Sequence, residues 1–278
     1  MRGPRVRPAK KFVLALAAAI GALCAAVAPA AQQPAPKFDV ASIKPVPLDG
    51  PPPASLPRGW TPDQPNGRYV DPRARVMGLI LFAYDATYWQ VLGLPDWGMT
   101  TLYAVNASAG DDYPQLPPDE NRERQRLMMR ELLKDRFHLQ LHTETRQEKV
   151  LKMSVEPGPL RVKQVPAPET PEAVGLRIGN GSGAVIGKRT MAKFARDVGL
   201  LLQQAVIDDT KLPGYYDLNF AWSAPPSAGT PPPQPGLGPD GVTLFLTAMK
   251  DQFGLRFSGA TGPVTYWVID QLERPSEN

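Results

Sequence analysis

Apolar residues recur at helical spacing in several stretches of the chain. The clearest example lies before Phe137, where Met129, Leu132 and Leu133 share one face with it. This spacing is typical of a helix that packs one side against a core. We predict four helices: one from about Arg73 to Tyr84, one capped by Asp119 and running to Arg136, one capped by Thr190, and one capped by Thr243 and running to Phe253.

Alternation of apolar and polar residues predicts strands between these helices. The segment "FDVASIKPV" predicts an early strand, and "GLRIG" with "GAVIGK" predicts a hairpin that turns at Asn180 and Gly181. Two strands, "FHLQLHTE" and "KVLKMSVEP", are predicted after the second helix. Two more, "LRFSG" and "VTYWVIDQLE", are predicted after the fourth.

One helix-to-strand joint occurs twice, as "LLKDRFHLQL" at 132–141 and as "AMKDQFGLRF" at 248–257. Two further pairs of phrases recur in the same order, a Leu-Pro turn and the strands "YAVNASA" and "YDLNFAW". Ordered matches of this kind indicate an internal duplication. We therefore predict an α+β fold of two pseudo-repeated halves, each with amphipathic helices packed on a small, mostly antiparallel sheet.

Proline-rich segments and the N-terminal pattern indicate where the signal peptide, the two halves and the linker begin and end. Many of the 33 prolines fall in runs that are typical of loops. A positive start, the apolar stretch "FVLALAAAIGALCAAVA" and small residues after it predict an export signal. The predicted organisation is a signal peptide at 1–31, a first half at 32–157, a Pro-rich linker at 158–172 and a second half at 173–278.

Removal of that signal changes the charge of the chain. The full sequence carries a formal net charge of +4, but the signal holds five basic residues and no acidic one. The mature chain is then close to neutral, which argues against a nucleic-acid partner. Cys24, the single cysteine, also lies in the signal, so disulfides and thiol chemistry are not expected. We predict a periplasmic or secreted location, with membrane attachment only if the signal stays uncleaved.

The sequence offers few groups for catalysis or cofactor binding. "GNGSGA" formally fits a dinucleotide-binding pattern, but no helix is predicted directly after it, so a hairpin turn is the better interpretation. His138 and His142 fall in one predicted strand about 13 Å apart, too far to share a metal ion. We predict no catalytic, cofactor-binding or metal-binding residues and no cofactor. The aspartates leave one alternative, a carboxylate-based hydrolase of envelope or extracellular polymers that uses residues such as Asp96 or Asp209.

Aromatic residues near the proline-rich loops are better candidates for recognition. Exposed aromatic side chains often form the centre of binding surfaces, although packing in the core is the alternative for each. The candidate binding surface consists of Trp60, Trp89, Trp97, Tyr216 and Trp222.

Several phrases resemble a family of uncharacterised secreted proteins of soil bacteria (acidobacteria). They are "FDVASIKP", "LPDW", "LLKDRFHLQLHTETR", "VIDDTKLPGYYDLNFAW" and the stretch from "GVTLFLTAMKDQF" to the C-terminus. Some members look like the extracytoplasmic part of membrane sensor peptidases, which implies sensing or binding. Together these observations predict an exported envelope module for binding, sensing or interaction, without catalysis, whose partner is an envelope protein or a small molecule.

Overall fold

The computed structural model describes residues 35–50, 62–158, 160–168, 175–179, 182–222 and 239–275. For 175–179, 182–186, Phe220, Trp222 and 239–240 it describes the backbone alone. All of these residues belong to one compact unit. The predicted signal peptide, Trp60 and the hairpin turn at 180–181 lie outside the described residues.

Four of the five α-helices in the described ranges were predicted from apolar spacing, and the short one at Asp96–Thr100, which follows Leu94-Pro95, was not. Tyr88–Gln90 adds one turn of 3₁₀-helix after the first of them. The α-helices are α1 (Val76–Tyr84), α2 (Asp96–Thr100), α3 (Pro118–Phe137), α4 (Met191–Leu202) and α5 (Pro239–Phe253).

The described strands form four sheets in which most neighbours are antiparallel. Three of the sheets have three strands, in the orders β1-β4-β2, β6-β11-β9 and β12-β8-β7, and the fourth has the order β10-β5-β13-β3. The fold is α+β, as predicted. The strands are β1 (Val40–Val46), β2 (Arg68–Ala74), β3 (Val91–Leu92), β4 (Leu102–Ser108), β5 (Gln140–Val155), β6 (Lys163–Val165), β7 (Gly175–Gly179), β8 (Ser182–Ile186), β9 (Lys188–Arg189), β10 (Val206–Asp208), β11 (Tyr215–Asp217), β12 (Phe220–Trp222) and β13 (Leu255–Gln271).

Two long strands form the centre of the molecule. β5 has 16 residues and β13 has 17, and they pair antiparallel from Leu255 opposite Val155 to Gln271 opposite Gln140. The prediction of two separate strands in each place is therefore wrong. Polar "TETRQEK" and Gly-containing "GATGP" both stay extended because they lie in the antiparallel ladder that joins β5 to β13.

The four-stranded sheet links early and late segments of the chain crosswise. β3 pairs parallel with β13, through Val91 opposite Trp267, and β10 pairs parallel with β5, through Val206 opposite Leu151. The early short strand β3 thus pairs with the late long strand β13, and the late short strand β10 pairs with the early long strand β5. β6, at Lys163–Val165, lies inside the predicted linker and pairs with β11.

Buried apolar residues form two clusters. The buried members of one lie between Ile43 and Leu139 in the sequence, and those of the other lie between Met153 and Leu255. The first is built from α1, α3 and β4, and Phe137 at the end of α3 is completely buried in it. The second is built from α4 and α5 with Met153 of β5, and it includes Phe253 at 7% exposure. Both phenylalanines of the repeated joint therefore contribute to a core, as predicted.

The helix ends confirm one prediction and correct three. Thr190 caps α4, because its side chain accepts a hydrogen bond from the Lys193 amide at 3.3 Å. Asp119 lies in the first turn of α3 and the cap position is Pro117, while Thr243 lies inside α5, which begins at Pro239. His138 is not in a strand: it ends α3 in the left-handed conformation, with φ of 49°.

The C-terminal joints of α3 and α5 differ in one informative residue. His138 adopts left-handed backbone angles, and Gly254 holds the corresponding position after α5 with φ of 70°. This conformation costs residues with a Cβ roughly 1 kcal/mol or more, and glycine avoids that cost. We expect His138→Gly to raise the free energy of unfolding by about 0.5–1 kcal/mol, measured by urea denaturation.

The reciprocal change serves as the control for this effect. Gly254→His places a side chain where the backbone is left-handed, so it is expected to lower the free energy of unfolding by about 1 kcal/mol. The contact of His138 with Glu273, at 3.3 Å between two exposed side chains, contributes little. A loss of stability in His138→Gly would show that this contact outweighs the backbone strain.

Candidate functional site

A small cavity lies where α3, α4, β9 and β11 come together. Its volume is about 140 Å³. Its lining combines six basic residues with three carboxylates, and we call it the basic cavity. The lining residues are Asp85, Pro118, Asp119, Arg122, Arg126, Pro168, Lys188, Arg189, Lys193, Arg196, Asp197 and Tyr215.

Arg126 of α3 is the most deeply buried cation of the cavity, with a side chain 8% exposed. Its guanidinium forms ion pairs with Asp85, just after α1, and with Glu123. Its Nε atom is buried without a hydrogen-bond partner among the described residues. Burial of an arginine requires a compensating negative charge. Asp85 and Glu123 provide it for Arg126, but they leave its Nε–H without an acceptor among the described residues.

Asp85 connects two arginines that come from distant parts of the chain. Arg196 of α4 also pairs with the Asp85 carboxylate and donates a second hydrogen bond to the Ala86 carbonyl at 3.1 Å. One carboxylate thus balances two guanidinium groups, Arg126 and Arg196. Asp85 tolerates this position because its backbone is left-handed, with φ of 50°, a conformation that Asp and Asn adopt more readily than most residues.

A second carboxylate lies at the rim, on the first turn of α3. Asp119 accepts hydrogen bonds from the Lys193 ammonium at one oxygen and from the Tyr215 hydroxyl at the other. The side chains of Lys193 and Asp119 are 38% and 48% exposed, so water reaches this part of the cavity. The rim is therefore more accessible than the position of Arg126.

The remaining cations have partners at or behind the wall of the cavity. Arg122 pairs with Asp63 at 3.0 Å, and the Asp63 side chain is only 6% exposed. Arg189 of β9 lies 3.3 Å from Asp197 of α4. These pairs fix the cations in place while leaving other donor atoms of each guanidinium available.

The electrostatics of α4 reflect the crowding of positive charge. Burial lowers the pKa of the Arg196 guanidinium; Asp85 opposes that change, but the nearby charge of Arg126 lowers the pKa further. Burial raises the pKa of the Asp197 carboxyl, and the charges of Arg189 and Arg196 oppose that rise. An additional negative charge in the cavity would favour the charged form of Arg196.

Of the predicted aromatic surface, Trp89, Trp97 and Tyr216 are the members whose side chains the structure describes. Tyr216 is 3% exposed and packs in the second cluster, so it does not lie on a surface. Trp97 of α2 is half-buried against the first cluster, with the Arg274 guanidinium 5.1 Å from its ring centre. Trp89 is half-buried in an edge-to-face contact with Tyr88 at 5.1 Å. Trp222 ends β12, and its side chain, like Trp60, lies outside the described part of the protein.

Asp209 of the hydrolase alternative and its neighbour Asp208 have local structural partners, and Asp96 is the first residue of α2. Asp208 accepts hydrogen bonds from the Thr210 amide at 2.9 Å and hydroxyl at 2.7 Å, which closes a turn. Asp209 pairs with Lys152 and Lys211, each at 2.8 Å, and hydrogen bonds from these two lysines lower the pKa of its carboxyl to about 2. A carboxyl with this pKa is ionised at neutral pH and does not serve as a general acid.

Within the described ranges, no group of three or more His, Cys, Asp or Glu side chains is placed to hold a metal ion. None of the helices in those ranges has the length and apolar character needed to cross a bilayer.

The sequence contains a signal for the basic cavity that the prediction missed. Arg122 and Arg126 are four residues apart in α3, and Lys193 and Arg196 are three apart in α4, so each pair lies on one helix face. The net charge of the mature chain is close to zero, so it gave no indication that basic residues are concentrated on these two helices. The contribution of β9 next to α4 was not visible without the fold.

The described residues thus define an α+β protein with a small, arginine-rich cavity at the meeting point of its two apolar clusters. Residues 77–272 match the family described as "Protein of unknown function (DUF3738)", and the match covers more than half of the chain. The chain belongs to this family, and the prediction of an uncharacterised family is confirmed. Comparison with curated proteins and with solved structures gave no match.

Proposed function

We propose that the protein is a non-catalytic binding module and that the basic cavity is its ligand site for an anion. The observation that carries this proposal is the convergence of fixed cationic side chains on a partly enclosed space, where the buried Nε atoms of Arg126 and Arg196 have no hydrogen-bond partner among the described residues. Six basic residues face the cavity with three carboxylates, and one of those carboxylates is shared by Arg126 and Arg196. Two further carboxylates, Asp63 and Glu123, pair with Arg122 and Arg126 from outside the lining.

Arginine is suited to this role because it stays charged and presents its donors in a rigid planar fork. Hydrogen bonds between charged groups are shorter and stronger than neutral ones, particularly where water is partly excluded. Arg126 is almost fully buried, and Arg196, with a side chain 34% exposed, is partly shielded. An anion that enters the cavity meets cations whose geometry is already fixed.

The proposal extends to location and sensing. The N-terminal pattern supports export, so we place the mature protein in the periplasm or outside the cell. The resemblance to the extracytoplasmic part of sensor peptidases supports a role in which binding is reported to another envelope component. An origin in soil acidobacteria also rests on that resemblance.

The same proposal includes an internal duplication. The order of elements supports it: β2, α1, β3, β4, α3 and β5 have counterparts in β9, α4, β10, β11, α5 and β13. Cross-pairing of β3 with β13 and of β10 with β5 follows the same correspondence. The cavity then lies between α3 of one half and α4 of the other, where two copies of a module commonly form a ligand site.

Anion binding is tested with a mature chain that begins at residue 32. We expect at least one anion from a panel of chloride, acetate, succinate, sulfate and phosphate, at constant ionic strength, to raise the melting temperature. Lys193→Gln and Arg196→Gln each remove a charged donor and are expected to weaken binding about tenfold or more, measured by calorimetry.

The matched control is Arg146→Gln, which also removes one arginine charge. Arg146 lies on β5 and pairs with Glu144 at 2.7 Å, outside the cavity lining. Affinity should remain that of the unmodified protein in this variant. Equal weakening in Arg146→Gln would indicate a nonspecific effect of charge, and the absence of binding by any anion would refute the site.

A further inference from the structure

We infer that the basic cavity recognises a phosphate group, either as free phosphate or as the terminal phosphate of a small phosphomonoester, and that Asp119 is a built-in competitor for that group. The inference rests on the proposed function, since it assigns a ligand class to the same cavity. Its first support is charge. Asp85 is shared by Arg126 and Arg196, and a phosphate, which carries a charge of about −1.5 to −2 at neutral pH, is able to pair with several guanidinium groups at once.

The second support is the arrangement of the donors. They come from separate elements: Arg122 and Arg126 from α3, Lys193 and Arg196 from α4, and Arg189 from β9. Cations that approach from several sides match the three terminal oxygens of a phosphate, which point in different directions. A carboxylate has only two oxygens, which lie in one plane, so it offers fewer directions to converging donors.

The third support is size. The volume of about 140 Å³ equals the share of roughly five water molecules in the liquid and lies below the range of about 300–1,000 Å³ for drug-sized ligands. The cavity therefore accepts one phosphate group with little else. The rest of a phosphomonoester has to extend past the rim, where Lys193 and Asp119 are accessible to water.

Asp119 occupies two donors that a phosphate would use. One of its carboxylate oxygens accepts from Lys193 and the other from Tyr215. A bound phosphate needs these donors and is also repelled by the Asp119 charge. Asp119 thus keeps the rim ordered in the free protein at the expense of affinity, and loss of its charge should strengthen binding.

This competition gives two substitutions with opposite effects on one measurement. We expect Asp119→Asn to raise the affinity for inorganic phosphate and for glycerol 3-phosphate about tenfold, measured by titration calorimetry at pH 7.5. We expect Arg196→Gln to lower both affinities about tenfold or more. Arg146→Gln should leave both unchanged, and thermal unfolding without ligand checks that each variant is folded.

The panel of probes separates failure of the ligand class from failure of the site. Succinate that binds with Arg196-dependent affinity while phosphate does not bind would overturn the phosphate assignment and keep the anion site. Absence of binding by every anion would overturn both. Weaker phosphate binding in Asp119→Asn would refute the competitor role of Asp119.

A final pair of probes identifies the source of the phosphate. Vesicles of phosphatidylcholine with phosphatidic acid present the same group on a lipid surface. Binding of glycerol 3-phosphate without binding to these vesicles assigns a soluble phosphate ligand. Arg196-dependent binding to vesicles that exceeds the affinity for glycerol 3-phosphate assigns a lipid headgroup instead.

Discussion

Phe137→Ala is expected to lower the free energy of unfolding by about 3–5 kcal/mol, because it removes a large aromatic side chain and leaves a cavity in the first cluster. Phe137 is completely buried and makes an edge-to-face contact with Tyr103 at 5.6 Å between ring centres. Tyr103 is itself 3% exposed, so the surroundings are unable to close over the void easily. Chemical denaturation measures the loss directly.

Phe253→Ala tests whether the two joints are equivalent. Phe253 is 7% exposed in the second cluster, so the expected loss lies toward the lower end of the same range. Lys250→Ala, three residues earlier, removes a contact with Glu156 at 3.2 Å and should cost less than about 1 kcal/mol because Lys250 is 55% exposed. A small effect of either phenylalanine would contradict its place in a core.

Asp85→Asn is expected to lower the free energy of unfolding by about 1–3 kcal/mol. The change removes the carboxylate that balances Arg126 and Arg196, and Arg126 then remains buried with Glu123 as its described ionic partner. Asparagine keeps the left-handed backbone of Asp85 at little cost, so the effect isolates the loss of charge. Thermal and urea unfolding of both proteins measure it.

The Asp85 variant also connects stability with binding. Since the variant lacks a negative charge that the arginines require, phosphate should raise its melting temperature more than that of the unmodified protein. Asp209→Asn is the matched control, because Asp209 pairs with exposed lysines away from the cavity. An equal shift in all three proteins would show that Asp85 and phosphate do not share the same cations.

Local patterns predicted four of the five described α-helices because each of the four has apolar residues at regular spacing, and the short α2 lacks this pattern. The Thr190 cap was predicted because its hydroxyl reaches an amide within one turn. β5 and β13 were each divided in two because "TETRQEK" and "GATGP" have weak strand preference, and only long-range pairing keeps them extended. His138 was placed in a strand because alternation alone does not reveal where a helix ends.

The basic cavity depends on contacts that a linear pattern does not contain. Arg126 and Arg196 meet at Asp85, although they belong to α3 and α4. Tyr215 and Tyr216 are adjacent in the sequence, and alternation in β11 sends one side chain to the cavity and the other to the core. The aromatic pattern of the sequence placed Tyr216 on the candidate binding surface, and only the register of the strand shows that its side chain belongs to the core.

The pairing of β5 with β13 sets the order in which the molecule is completed during synthesis. β13 is the last described strand, so β5 has no antiparallel partner until the ribosome has released almost the whole described chain. Until then β5 presents an open edge able to pair with another chain. Contacts across such a sequence separation also close slowly. The central sheet therefore forms only after β13 has been synthesised, and the interval before then is when the chain is most exposed to aggregation.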